Sequence, residues 1–172
     1  MYISESIEAY FHTLAEKILS SRVDLYASQI VNGYENNGSD VTTQGIRITT
    51  RSVFVPQVFM QGQWLWAYQV IISPATPQKA WRLRTRTWNI RDLRGHVETV
   101  DRQPGVIGLY PEIFTGSDSC VYESCCPLAT QGGFMSGSFN FVNMENPNET
   151  VDAIVGEFEF KLPENAVFVT IP

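Results

Sequence analysis

From Val41 onward the chain shows no helical period; short runs rich in Val, Ile, Phe, Tyr and Trp recur about every ten residues, divided by Gly, Pro and Asn. Turn signals stand at Ser73-Pro74, Asp92 to Gly95 and Asn146-Pro147-Asn148. Strands are expected near 44–54, 63–73, 79–91, 96–100, 117–124, 134–143 and 151–162. This cadence predicts an antiparallel β-sandwich of about seven strands. In the last strand a period of two sets Ile154, Phe158, Phe160 and Leu162 on one face, with Gly156 among them, and Glu157, Glu159 and Lys161 on the other.

The first forty residues follow another rule. Ile7, Tyr10, Phe11, Leu14 and Ile18 recur at spacings of three and four, which is one face of an amphipathic helix. Ser4 suits its N-cap, and Glu5 and Glu8 lie in the first turn, where the helix dipole favours acid. Val23, Tyr26, Ala27 and Ile30 continue the spacing up to Asn32-Gly33, and Glu35 to Asp40 reads as a linker. The expected organisation is a helical extension and linker over 1–40 and a sandwich domain over 41–172. A chain of 172 residues buries roughly 70% of its unfolded surface, enough for one core without metals or disulfides.

Charge is unevenly distributed. Residues 1–40 carry two basic and six acidic side chains, residues 41–102 nine and three, and residues 103–172 one and nine, so the net −6 is built from −4, +6 and −8. An anionic partner is therefore expected at the middle segment. Three cysteines, Cys120, Cys125 and Cys126, are an odd number with two adjacent, unlike the even framework of a secreted scaffold. Reduced thiols in an intracellular protein are expected, cytoplasmic by default, with a mitochondrial location left open. His12 and His96, the only histidines, are too far from these thiols in sequence to suggest a zinc site, and no cofactor is expected. The N-terminus has no signal-peptide pattern, and no apolar stretch nears the roughly 20 residues of a membrane helix.

Arg82, Arg84 and Arg86 alternate with Trp81, Leu83 and Thr85, so an unbroken strand sets all three guanidiniums on one face, with Trp88 beside them. Arg91 and Arg94 follow into an Asp-Leu-Arg-Gly turn. Planar cations beside an aromatic ring suit phosphate, carboxylate or base-stacking partners. Pairing with the acidic C-terminal segment is the alternative. The loop Gln103-Pro104-Gly105-Val106-Ile107-Gly108 invites comparison with phosphate-cradling loops through Gly105 and Gly108, yet no βαβ unit surrounds it. Leu109, Tyr110, Ile113 and Phe114 are expected to anchor that loop on the core. Cys125-Cys126 have no activating base nearby in sequence, and no catalytic residues are expected.

The segment Arg86-Thr87-Trp88-Asn89-Ile90-Arg91-Asp92-Leu93-Arg94-Gly95 resembles the Arg-His-Trp-x-Ile-x-Asp-x-x-Gly signature of the ApaG family. Thr43 to Ile48 is similar to the family's Thr-x-Gly-Ile-Arg-Ile strand, Trp66 to Ile72 to its aromatic second strand, and Thr130 to Phe139 to its Thr-Pro-x-Gly-x-Met-x-Gly-x-Tyr pattern. The likeness covers about 130 residues in the same order and implies an all-β, immunoglobulin/fibronectin type III-like sandwich, in agreement with the strand cadence. Family members often carry Gly-x-Gly-x-x-Gly where this chain has Gln103 in place of the first glycine.

The resemblance implies a non-enzymatic protein-interaction module, acting as an adaptor or as a subunit of a larger assembly, with protein partners. Such domains stand alone in bacteria and form parts of certain F-box proteins and of a polymerase-interacting protein. Arg82, Arg84, Arg86, Trp88, Arg91, Arg94, Gly105 and Gly108 are the expected partner- or anion-binding residues, and Ile7, Phe11, Leu14 and Ile18 the helical contact face, toward a partner or the chain's own sandwich. The alternatives are a nucleotide- or polyphosphate-binding domain and a structural component of an RNA-containing complex. Membrane binding is not expected, and the oligomeric state stays open.

Overall fold

A two-residue turn opens the sandwich. Gln44 (φ 48°) and Gly45 (φ 80°) are both left-handed, the geometry that lets β1 (Ser39–Thr43) and β2 (Ile46–Met60) pair with matching twist. Gly45 is required on two counts, because a Cβ there would also lie 2.3 Å from Pro77 Cα. The computed structural model describes residues 5–21, 38–60 and 62–162, the side chains at 5–7, 18–21 and 56–60 excepted. The expected cap Ser4 and the helical run from Val23 to Ile30 lie outside the described residues.

After β2 come β3 (Gln63–Pro74), β4 (Trp81–Asp92), β5 (Val97–Pro104), the short β6 (Glu112–Ile113), β7 (Cys120–Leu128), β8 (Gly133–Asn143) and β9 (Thr150–Phe160). One sheet runs β1-β2-β3-β7; the other runs β5-β4-β8-β9, with β6 also on β4, and all pairings are antiparallel. The expected all-β sandwich is present with an N-terminal helix, α1 (Glu5–Ser21). Two strands escaped the sequence reading: β1 occupies residues read as the end of a linker, and β6 is too short to show a period.

The inner faces meet in one aromatic-rich core, in which Trp66, Trp81, Phe139, Phe141, Phe158 and Phe160 are almost completely buried. α1 packs on the outer face of the first sheet, where Phe11 and Ala15 cover Val55, Leu65, Ala67 and Cys125. This second cover explains why β3 is buried at every residue from Leu65 to Val70. The helical contact face is therefore turned onto the chain's own sandwich at Phe11 and Leu14; the side chains of Ile7 and Ile18 lie outside the described residues.

The sandwich has two long seams where sheet edges face each other. Along β9, Thr43 Oγ1 of β1 accepts from the Ile154 amide at 3.1 Å and Ser52 Oγ of β2 donates to the Glu159 carbonyl at 2.7 Å. A Cβ on Gly156 would lie 2.9 Å from Ser39 Cβ, so that seam is closed by direct contact. The alternation expected in β9 breaks here. Gly156 and Glu157 together oppose Ser136 of β8, which turns Val151, Ala153 and Val155 inward before this bulge and Phe158 and Phe160 inward after it. Ile154, expected on the core face, is exposed as a result.

Candidate functional site

The other seam lies between β5 and β7, and a bulge in β4 shapes it. Leu83 pairs with Phe141 and Thr85 with Asn140, which leaves Arg84 as an extra residue that reverses the parity of everything after it. Trp81 and Leu83 point inward before the bulge; Arg86 and Trp88 point inward after it. The expected single face of Arg82, Arg84, Arg86 and Trp88 is thus not formed. Arg82 is exposed and ion-paired with Glu112. The Arg84 side chain is exposed, with no hydrogen bond or ion pair to another described residue. Arg91, also exposed, sits 3.4 Å from Glu157 and 4.5 Å above the Phe134 ring centroid, and Arg94 rides on the turn capped by Asp92 Oδ1. Three of the nine cations of the basic segment are met by the acidic C-terminal one: Lys79 by Glu149, Arg82 by Glu112 and Arg91 by Glu157.

Arg86 is the exception among these cations, with only 8% of its side chain exposed. A buried guanidinium needs partners, and this one draws them from three segments. Nη1 donates to the carbonyls of Pro104, at 3.2 Å, and Gly105; Nη2 pairs with the Glu8 carboxylate of α1; the guanidinium carbon lies 5.9 Å from the Tyr122 ring centroid. Nε is buried without a hydrogen-bond partner. Beside it, Trp88 packs edge-on against Tyr68 and Phe139, at centroid distances of 5.9 and 5.5 Å, and its Nε1 also lacks a partner. Gly137, opposite Trp88 in β8, makes this possible: a Cβ there would come within 2.0 Å of the Thr87 carbonyl oxygen and 3.1 Å of the indole.

These groups line a cleft of about 320 Å³ whose walls come from β4, β5, β7 and α1. Tyr68 and Tyr122 share a hydroxyl contact at 3.3 Å on its inner wall, and burial pushes both phenols upward, Tyr68 well above its usual range. Cys125 and Cys126 also reach the lining from opposite faces of β7, Cys126 from the sandwich core and Cys125 from beneath α1. Burial pushes the Cys125 thiol up to about 12 and Cys126 further, so both remain protonated and unreactive at neutral pH. Among the described residues no cluster of His, Cys, Asp and Glu could hold a metal ion. The chemistry on offer is hydrogen bonding and charge pairing. Glu8, Tyr68, Tyr122 and Ser124 went unrecognised by sequence reasoning; Glu8 was legible only as an acid in a first helical turn.

The glycine loop is mostly occupied with itself. The Gly105 amide donates to the Arg84 carbonyl at 2.9 Å, and the amides of Val106 and Leu109 donate to each other's carbonyls at 2.9 Å. Ile107 (φ 48°) and Gly108 (φ 70°) form the tight turn between them. Toward the cleft the loop presents the Gly105 carbonyl, an acceptor, to Arg86. Of the four expected anchors Ile113 is fully buried, whereas Leu109, Tyr110 and Phe114 are exposed; Val106 joins Ile113 in holding this region to the core.

Comparison with known proteins places this architecture. The family model described as the ApaG domain matches residues 57–143. Protein ApaG of Mesorhizobium japonicum is 38% identical over 103 residues, covering 60% of this chain and 75% of that protein, and Protein ApaG of a Bradyrhizobium species is 33% identical, covering 71% and 92%. Human F-box only protein 3 is 26% identical over 94% of this chain, which takes the match into α1, and this chain spans 35% of that protein. A crystal structure titled as the putative ApaA protein from Bordetella pertussis superposes with a TM-score of 0.61 at 26% identity, covering 76% of this chain and 98% of that one.

Proposed function

The chain belongs to the ApaG domain family, and from that premise we propose that it is a non-enzymatic protein-interaction module, an adaptor or a subunit of a larger assembly, working in the cytoplasm. The observation that carries this reading is the β5/β7 cleft, which lies between two outer strands and offers buried donors and aromatic walls but no activated nucleophile among the described residues. The similarity to human F-box only protein 3, which runs into α1, supports treating helix and sandwich as one working unit. No helix among the described residues is long and apolar enough to cross a membrane.

Two features weigh against polyphosphate as the ligand. The loop amides that would cradle it are engaged at Gly105, Val106 and Leu109, and one buried arginine faces three carboxylates in the cleft lining. RNA loses support for a related reason, because Arg82 and Arg91 are ion-paired. Mass measurement of the native assembly across ionic strengths tests the proposal. A defined complex with another protein is expected; a monomer at every concentration, or nucleic acid as the sole companion, overturns it. Dinucleoside polyphosphates are expected to leave the melting temperature unchanged at millimolar concentration.

A further inference from the structure

We infer that the β5/β7 cleft receives an acidic residue of an extended peptide segment from the protein partner, and that Glu8 of α1 occupies that position in its absence. The inference rests on the protein-interaction reading and adds the chemistry of the contact. Arg86 and Trp88 both line the cleft, and just beneath its wall Arg86 Nε and Trp88 Nε1 are buried without an acceptor among the described residues. Buried donors of this kind are normally satisfied, so two neighbouring ones without partners mark a position where incoming oxygen atoms gain hydrogen bonds. The remaining donors of Arg86 divide in an informative way. Nη1 is held by main-chain carbonyls of its own sheet, whereas Nη2 is held by a side chain from a separate element, 78 residues distant in sequence. The first set is fixed by the fold; the second can be exchanged.

α1 also engages β7, the outer strand of its sheet, in the way an added segment would. His12 Nδ1 lies 2.9 Å from the Glu123 carbonyl oxygen, and Cys125 Sγ donates to the Phe11 carbonyl at 3.6 Å. A helix over an edge strand blocks unwanted pairing, and an extended peptide that replaces it can donate a main-chain amide to the Glu123 carbonyl by strand addition. Charge selects a carboxylate over a phosphate. Among the lining residues Arg86 stands against Glu8, Glu98 and Asp101, and departure of Glu8 leaves one cation facing two carboxylates. A monoanion restores the original balance, whereas a dianionic phosphoryl group adds a further negative charge. Asp101 then favours neutral or basic residues beside the acidic anchor.

The test uses the full chain and pools of nine-residue peptides with a fixed centre and randomised flanks, followed by fluorescence anisotropy. With Glu at the centre, the Glu8→Gln variant is expected to bind at least about tenfold more tightly than the unsubstituted chain, because the internal competitor no longer carries charge. With Gln at the centre, no such gain is expected. Arg86→Lys, which keeps a cation but loses the planar fork, is expected to bind at least about tenfold more weakly. Hydrogen exchange provides a second readout that also checks folding: bound peptide should speed exchange of the α1 amides and leave those of β4 and β8 protected. Equal affinity for Glu8→Gln and the unsubstituted chain, preference for a phosphoserine centre, unchanged α1 exchange on binding, or no binding by any variant each overturns the inference. If the native protein complex persists while these results appear, only the inference fails; if no complex exists, the interaction reading fails with it.

Discussion

The two seams of the sandwich close by opposite means. Along β9 the sheets meet through hydrogen bonds to its backbone, the Ile154 amide donating to Thr43 of β1 and Ser52 of β2 donating to the Glu159 carbonyl, and Gly156 brings β1 and β9 too close for any side chain. Between β5 and β7 they stand apart, and the gap is spanned by one ion pair from a helix outside the sandwich. Every β domain must manage its edges, and here one pair of edges is sealed by the fold itself while the other has a separable cover. On the function proposed above, the sealed seam serves stability and the covered seam recognition.

Substitutions can break this contrast, and the largest effect belongs to the sealed side. Phe160, fully buried at the end of β9 with its ring centroid 5.8 Å from that of Trp66, is expected to cost about 3–5 kcal/mol when changed to Ala, read as a lower denaturant midpoint at constant m-value. Gly156→Val forces atoms into contact with Ser39 and Val41 and is expected to cost about 1–3 kcal/mol. On the covered side, Glu8→Gln should cost only about 1 kcal/mol, since the Gln amide oxygen can still accept from Arg86 Nη2 and only the charge is lost. A loss above that of Phe160→Ala would erase the distinction between the seams.

Alkali sharpens the same comparison. The Cys125 thiol is raised from 9.0 to about 12 in the folded chain, so above pH 9 the unfolded chain loses a proton that the folded chain retains. Stability is complete below pH 9 and falls by about 1.4 kcal/mol per pH unit from this thiol alone as pH rises toward 12. Cys125→Ser should flatten the decline in unfolding free energy measured between pH 9 and 10. The smallest effect is expected at the surface: Arg82→Ala removes an ion pair whose arginine side chain is 52% exposed and should cost under about 1 kcal/mol, less at high salt.

Much of this molecule was legible in its sequence, because β-rich runs divided by turn residues announce strands directly. Seven of the nine strands fall where that cadence sets them, and α1 follows its period of three and four. What the cadence could not reveal was parity. An arginine at every second position reads as one face, and nothing about Arg84 distinguishes an extra residue from a paired one; the pairing with Phe141 and Asn140 decides it. The same blindness misplaced Ile154. Glu8 was hidden for a different reason: its acid is explained locally by the helix dipole, while its actual partner arrives from a distant strand. Leu109, Tyr110 and Phe114 were misjudged because apolar character alone does not reveal which side of a turn faces inward.

The bulge at Arg84 also changes how relatives should be aligned. Deleting the extra residue would restore simple alternation, Leu83 inward, Thr85 outward and Arg86 inward, and so keep Arg86 and Trp88 in the cleft wall; retaining it in a regular, bulge-free strand would turn both outward. Two relatives whose strands differ by one residue at this point can therefore present the same inward side chains, provided that the longer strand bulges.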